Sequence, residues 1–209
     1  MPVLIRSSGI TLGLTVSSVC LALFLSVFLA LGKISKNPII SKPCSAYIFF
    51  FRGTPLLIQL YFIYYGLPKI SMSLNIANPF VAALLAFTLN VAAYLAEIIR
   101  AAIQSIDKGQ MEASRALGLS YGKAMQLVII PQSYRRMIPP ICNEFVMVLK
   151  DTSLVSIIAV TELTKRSTMI ASSTASPLVY IPAMILYLIL TGIFTAVFNR
   201  LEKKLSVYE

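Results

Sequence analysis

The chain has 209 residues, 57% hydrophobic and only 12% charged, with a mean hydropathy of +0.82; a soluble domain carries roughly 25% charged residues, so lipid must cover much of the outside. The net charge of +10 would suggest nucleic acid in a soluble protein, but in a membrane protein it is the expected excess of Lys and Arg in cytoplasmic loops, and no nucleic-acid partner is expected. The chain has no histidine, which excludes His-based proton relays, metal sites and general bases.

A spanning helix needs about 20 mostly apolar residues to cross a hydrocarbon core ~30 Å thick. The first such run covers residues 9–32, after Arg6. Alone it would pass for a signal peptide, but apolar runs recur along the whole chain. Thr11, Thr15, Ser18 and Ala22 fall on one face of it, a stripe of small residues that predicts a helix-packing seam. The second run, 44–67, is interrupted by Arg52-Gly53-Thr54-Pro55. Thr54 is expected to cap a helix that starts at Pro55. Residues 44–51 then either approach along the cytoplasmic interface or belong to the same helix, bent at the proline. The third run, 79–100, carries a polar stripe of Asn90, Tyr94 and Glu97 at i, i+4, i+7.

The loop at 103–132 carries the most information. Residues 107–117 read as a helix with Ala113, Ala116 and Leu117 on one apolar face and Glu112 placed to pair with Arg115 at i, i+3. Gly118 suits the left-handed conformation of a helix stop. Ser120 caps a second helix, whose face holds Tyr121, Ala124, Met125 and Val128 and whose end Pro131 marks. Such an apolar face, outside both lipid and core, is a docking surface for another protein.

The fourth run, 137–159, contains Pro139 and Pro140, expected to break the helix, and then Glu144. Glu144 follows Arg136 by eight residues, or ~12 Å of helix, which places it close to the bilayer midplane. Lys150 and Asp151 fall near the outer end of this run. The last run is 178–198, with Gly192 and Ala196 as a second packing seam.

Five crossings put the termini on opposite sides. With the N-terminus outside, twelve of the 18 Lys and Arg, from Lys33 to Lys204, lie inside. Arg6, Lys69, Lys165 and Arg166 lie outside, and Arg52 and Lys150 lie within spans. This bias predicts N-out, C-in. Cys20, Cys44 and Cys142 have no metal-ligand spacing and are expected to be packing residues. The expected fold class is an all-α integral membrane protein, a single transmembrane domain over 1–209 with about five helices.

Glu112-Ala113-Ser114, three residues, Gly118, nine residues, then Val128-Ile129-Ile130-Pro131 resembles the signature loop of binding-protein-dependent ABC importer permeases of type I, whose pattern is EAA, x3, G, x9, I-x-L-P. Ser114, Val128 and Ile130 depart from it only in size or branching. The stretches 51–56 (FRGTPL), 92–100 (AAYLAEIIR) and 150–154 (KDTSL) resemble the polar-amino-acid branch of that family, which serves arginine, lysine, histidine and glutamine.

The resemblance implies that 103–132 is a coupling loop gripped by an ATPase subunit, with Glu112, Ala113, Arg115, Gly118 and Leu119 as its contact and turn residues. It implies a second permease subunit, expected to be an identical copy, two ATP-binding subunits that hold ATP and Mg, an extracytoplasmic amino-acid-binding protein, and a place in the bacterial cytoplasmic (inner) membrane. No cofactor, metal or catalytic residue is expected in this chain. Residues 118–123 look like a P-loop at a glance, but have three residues between the glycines and Ala124 in place of Ser or Thr.

An ionisable residue deep in a span is functional by default. Glu144 is therefore expected to attract the cationic head of a basic amino acid, with Asn143, Asn90 and Tyr94 giving hydrogen bonds and Leu57 and Gln59 forming a wall. Glu144 paired with Arg52 is the alternative, and Glu97 with Arg100 can be purely structural. A self-sufficient transporter would show inverted repeats or a charge relay, and a membrane enzyme a catalytic cluster; the sequence offers neither.

Overall fold

The structure, a computed structural model, describes residues 2–205. The ends of the expected domain, residue 1 and residues 206–209, lie outside the described residues. Among the described residues there are helices and no strands.

α1 (Pro2–Ile34) extends the first apolar run at both ends. Its 33 residues rise ~50 Å, more than the hydrocarbon core, so the helix must tilt or emerge. The predicted seam is real: Thr11, Thr15, Ser18 and Ala22 are fully buried. α1 makes the most extensive contact in the fold with α4 (Pro79–Gln104), where Ala82, Ala83, Ala86, Ala93 and Ala96 are also buried, while Thr11 Oγ1 accepts from Leu163 N at 3.4 Å. The hydroxyls of Thr15 and Ser18 donate back to Thr11 O (2.8 Å) and Thr15 O (3.1 Å), so close approach leaves no orphan donor.

α2 (Pro38–Gly53) starts earlier than expected, because Asn37 caps it through Ile39 N at 3.0 Å and Pro38 fits the first turn. α3 (Leu56–Ile70) leaves it at 102°. Thr54 does not cap α3. Its hydroxyl donates to Phe50 O at 2.8 Å, and Pro55 occupies the cap position without a side-chain bond. Gly32 is where α1 and α2 touch: a Cβ there would lie 2.4 Å from Cys44 Sγ.

α5 (Lys108–Ala116) and α6 (Tyr121–Ala124) form the loop. Pro131 does not end the second helix. A π segment, Met125–Ile129, carries the chain into α7 (Ile130–Asp151), opening the ladder where Pro131 has no N–H to give. Pro139 and Pro140 lie inside α7 and do not break it. Neither is a run of 137–159 one helix: α7 stops at Asp151, and a 3-10 stretch, Thr152–Ile158, closes on Ala159 at φ +65°.

α8 (Leu163–Thr174) and α9 (Tyr180–Leu205) follow. α9 packs on α7 through Phe145, Phe194 and Phe198, whose rings lie 4.7–6.0 Å apart. The second predicted seam is not used within the chain: Gly192 and Ala196 are exposed, as is most of α9.

Three helical stretches are long and apolar enough to cross a membrane: Pro2–Ile34, Pro79–Gln104 and Pro177–Lys204. The bent pair α2–α3 is long and apolar enough to count as a fourth if its two arms form one broken span. α7 falls short because Arg135, Arg136, Glu144, Lys150 and Asp151 lie along it.

Candidate functional site

Breaking a helix at Thr54–Pro55 strands the carbonyls of Phe51 and Thr54, which must find donors away from water. Gln59 Nε2 donates to Phe51 O (3.0 Å), Thr54 O (3.1 Å) and Thr54 Oγ1 (2.7 Å). Asn90 Nδ2 donates to Phe51 O and to Gln59 Oε1, both at 3.0 Å. Gln59 and Asn90 are buried, and together they tie the bend to α4.

About two turns further along α4, Glu97 gathers cations. Lys33 Nζ lies 2.8 Å from one carboxylate oxygen, and Arg100 Nε donates to the other at 2.9 Å. Arg52 reaches the same carboxylate at 3.9 Å while stacking 5.3 Å over the Tyr94 ring. A cavity of about 340 Å³ opens beside them, lined by Lys33, Ser45, Arg52 and Tyr94.

Glu144 is treated differently. It is half-buried on α7, and among the described residues its carboxylate has no hydrogen bond and no ion pair; the alternative partner Arg52 acts on it through space but lies closer to Glu97. Its neighbour Asn143 is exposed, with Nδ2 4.0 Å from Met147 Sδ. Leu57 is half-buried on α3. The expected site residues thus fall into two groups. Asn90 and Gln59 serve the bend with Tyr94 close by, Asn143 and Glu144 lie on α7, and no hydrogen bond joins the groups among the described residues.

The loop is built by local caps. Asp107 Oδ1 accepts from Gly109 N at 2.7 Å, and Ser120 Oγ from Lys123 N at 3.4 Å. Gly118 takes φ +87°, and Leu119 N donates back to Ser114 O at 3.1 Å, a left-handed helix stop. Glu112, Ala113 and Arg115 are exposed, Leu119 is half-buried, and Leu117 is 85% exposed. Glu112 and Arg115 do not form an ion pair among the described residues. The second expected face turns inward: Ala124 is buried and Met125 and Val128 pack on the core, leaving Tyr121 outside. Gln132 donates to Gln110 Oε1 at 3.2 Å, and Arg136 donates to Ser105, so α7 is fastened to the loop.

One residue had no reading in the sequence. Glu162, fully buried, caps α8 by accepting from Thr164 N and Lys165 N at 2.7 Å, and takes a third bond from Tyr187 Oη at 3.0 Å. Burial pushes its carboxyl up from the ordinary range, and these donors pull against it. The signal was a carboxylate just before a helical pattern, which the search for Ser, Thr, Asp and Asn caps passes over. Cys20 is exposed, Cys44 half-buried and Cys142 buried, all free.

The described residues thus form a helix bundle with stretches able to cross a membrane and a capped helical loop that runs into α7. Residues 22–207 match the binding-protein-dependent transport system inner membrane component family. The chain is 39% identical over 208 residues to the L-cystine transport system permease protein TcyB of Bacillus subtilis, covering 98% of this chain and 88% of that protein. It is 37% identical to the arginine transport system permease protein ArtQ of the same organism, covering 99% and 94%. A crystal structure of an amino acid ABC transporter with histidines superposes with a TM-score of 0.91 at 39% identity, covering 97% and 94%. The chain belongs to this family: it is a multi-pass inner-membrane permease subunit of the polar-amino-acid branch of type I ABC importers, and ATP is hydrolysed by a partner subunit.

Proposed function

We propose that this subunit carries basic amino acids inward, with Glu144 holding the cationic side chain near the bilayer midplane. The observation that carries this reading is that Glu144 is a half-buried carboxylate with no hydrogen bond or ion pair among the described residues, on a helix continuous with the loop. A guanidinium or ammonium group would supply the missing counter-charge. Asn143 beside it is free to hydrogen-bond a substrate, with Leu57 as part of the wall.

In this reading the chain crosses five times, N-out and C-in, with α7 and its 3-10 extension as the fourth crossing. The polar face of α7, too charged to meet lipid, then lines a path shared with a second copy of the chain. Two ATP-binding subunits grip the loops through Glu112, Ala113, Arg115, Gly118 and Leu119, and an external binding protein delivers substrate. The helical path from Tyr121 to Glu144 spans ~35 Å, so beyond the Gly118 turn a push on the loop reaches the carboxylate along continuous helix.

The test is uptake of arginine and glutamine into proteoliposomes by the complex carrying Glu144→Gln. Loss of a charge-assisted contact should cut arginine uptake about 10- to 100-fold relative to glutamine. Arginine uptake at the normal rate would remove Glu144 as the specificity residue. ATPase subunits that stay bound to a Gly118→Val permease would remove the loop as the coupling element.

A further inference from the structure

A cavity of about 460 Å³ lies between the end of α1 and the loop, away from Glu144 and the bend. Its rim carries Lys36, Arg115 and the Tyr121 ring, and its floor is Leu31, Ile103 and Met125. No acidic residue lines it, and among the described residues neither the Lys36 nor the Arg115 side chain has a hydrogen bond or an ion pair. Two unpaired cations over an apolar floor match an anion that carries a hydrocarbon tail.

A second observation points the same way. Phe24, Phe28 and Leu31 recur at i, i+4, i+7 on α1 and are 71%, 59% and 44% exposed. This apolar track runs along the membrane-spanning part of α1 and ends at the cavity floor. A free phosphate would have no use for it; an acyl chain would lie along it.

We infer that this cavity binds the phosphate of an anionic glycerophospholipid, held between Lys36 and Arg115 with its acyl chain on the Phe24–Leu31 track. Basic pockets between helices on the cytoplasmic side are suited to such headgroups. Arg115 lies on α5, so the lipid would brace the coupling loop against α1 and make its position sensitive to the anionic content of the membrane. The site rests on the cytoplasmic placement of the loop proposed above.

The test uses the complete complex with its ATPase subunits, in nanodiscs of equimolar phosphatidylglycerol and phosphatidylcholine, counting retained lipid by native mass spectrometry. Lys36 is exposed at the end of α1, so Lys36→Gln should fold. It should lower the preference for phosphatidylglycerol about five-fold, the worth of one cation near a charged headgroup, and Lys36→Arg should restore it. Equal retention by wild type and Lys36→Gln overturns the proposal. So does loss of the ATPase subunits with lipid retention unchanged, which would assign the cations to a protein partner. Saturable binding of inorganic phosphate to the detergent-solubilised complex, with no preference among lipids, would overturn the lipid assignment. The readout is retained lipid and not transport, so its failure leaves the role of Glu144 standing.

Discussion

Glu97 and Glu144 are carboxylates on neighbouring helices of one bundle, and the fold surrounds them in opposite ways. Glu97 has Lys33, Arg52 and Arg100 around it, and its side chain is 20% exposed. Glu144 has no cation within ion-pair distance among the described residues, and only Arg52 acts on it, from further away. A charge taken out of water must be compensated in place, or by something that arrives. Glu97 is compensated by α1, α2 and its own helix, and so fastens three elements together. In the proposed function, Glu144 is left for a ligand. A membrane acid is thus a functional candidate by default only until its partners are counted.

The largest expected effect is on the satisfied side. Glu97→Gln removes the shared anion and leaves Lys33 and Arg100 facing each other, both largely buried. It should destabilise the permease by about 2–4 kcal/mol, below the full cost of a dry site because water still reaches the cluster. Thermal unfolding of the detergent-solubilised complex measures it; an unchanged midpoint would mean that the cluster fastens nothing.

The same cluster can be attacked through the backbone. Gly32 lets α2 approach α1 and brings Arg52 within reach of Glu97 and Lys33. In Gly32→Ala the new methyl group meets Cys44 Sγ, and the overpacking should cost about 1–3 kcal/mol. Adding Cys44→Ala removes the obstructing sulfur, so most of the loss should return in the double variant. Failure of that rescue would show that the strain lies elsewhere.

Asn90→Ala sharpens the boundary between structure and ligand. Asn90 donates to the bend and to Gln59, and its loss weakens the cover over the Phe51 carbonyl, at about 1–2 kcal/mol. Stability should fall while the KM for uptake is unchanged. A raised KM at unchanged stability would instead make Asn90 a substrate group, as its place on a polar stripe suggests.

What could be read from the chain alone was local. Asp107, Gly118 and Ser120 act on backbone groups within a few residues, so their roles follow from order alone. The stripe from Thr11 to Ala22 announced that a helix would pack there, but not that α4 would be the partner. Prolines misled. Pro131, Pro139 and Pro140 remove donors from a helix, yet whether it ends depends on surroundings that order does not reveal. Asn90 and Gln59 were visible as polar residues in apolar runs. Their meeting across 31 positions was not, and the meeting gives them their role. The loop was legible because its chemistry is near in sequence, as was the Glu97–Arg100 pair at i, i+3; Lys33 and Arg52, which reach Glu97 from other helices, were not.

The smallest effect separates the two acids most sharply. Glu144→Gln keeps the size and polarity of the side chain and removes a charge that no residue of the chain pairs at close range, Arg52 acting on it only from a distance. Without ligand, the variant should therefore match the wild type within about 0.5 kcal/mol, or exceed it, since an uncompensated charge is a cost to the folded state. With ligand the order reverses: arginine binds only the folded state, so it should raise the unfolding midpoint of the wild-type complex by mass action and leave the Glu144→Gln complex unmoved. Two thermal scans, with and without arginine, decide it. A variant that unfolds several degrees early without ligand would place Glu144 beside Glu97 as a structural acid, and the contrast between the two would be gone.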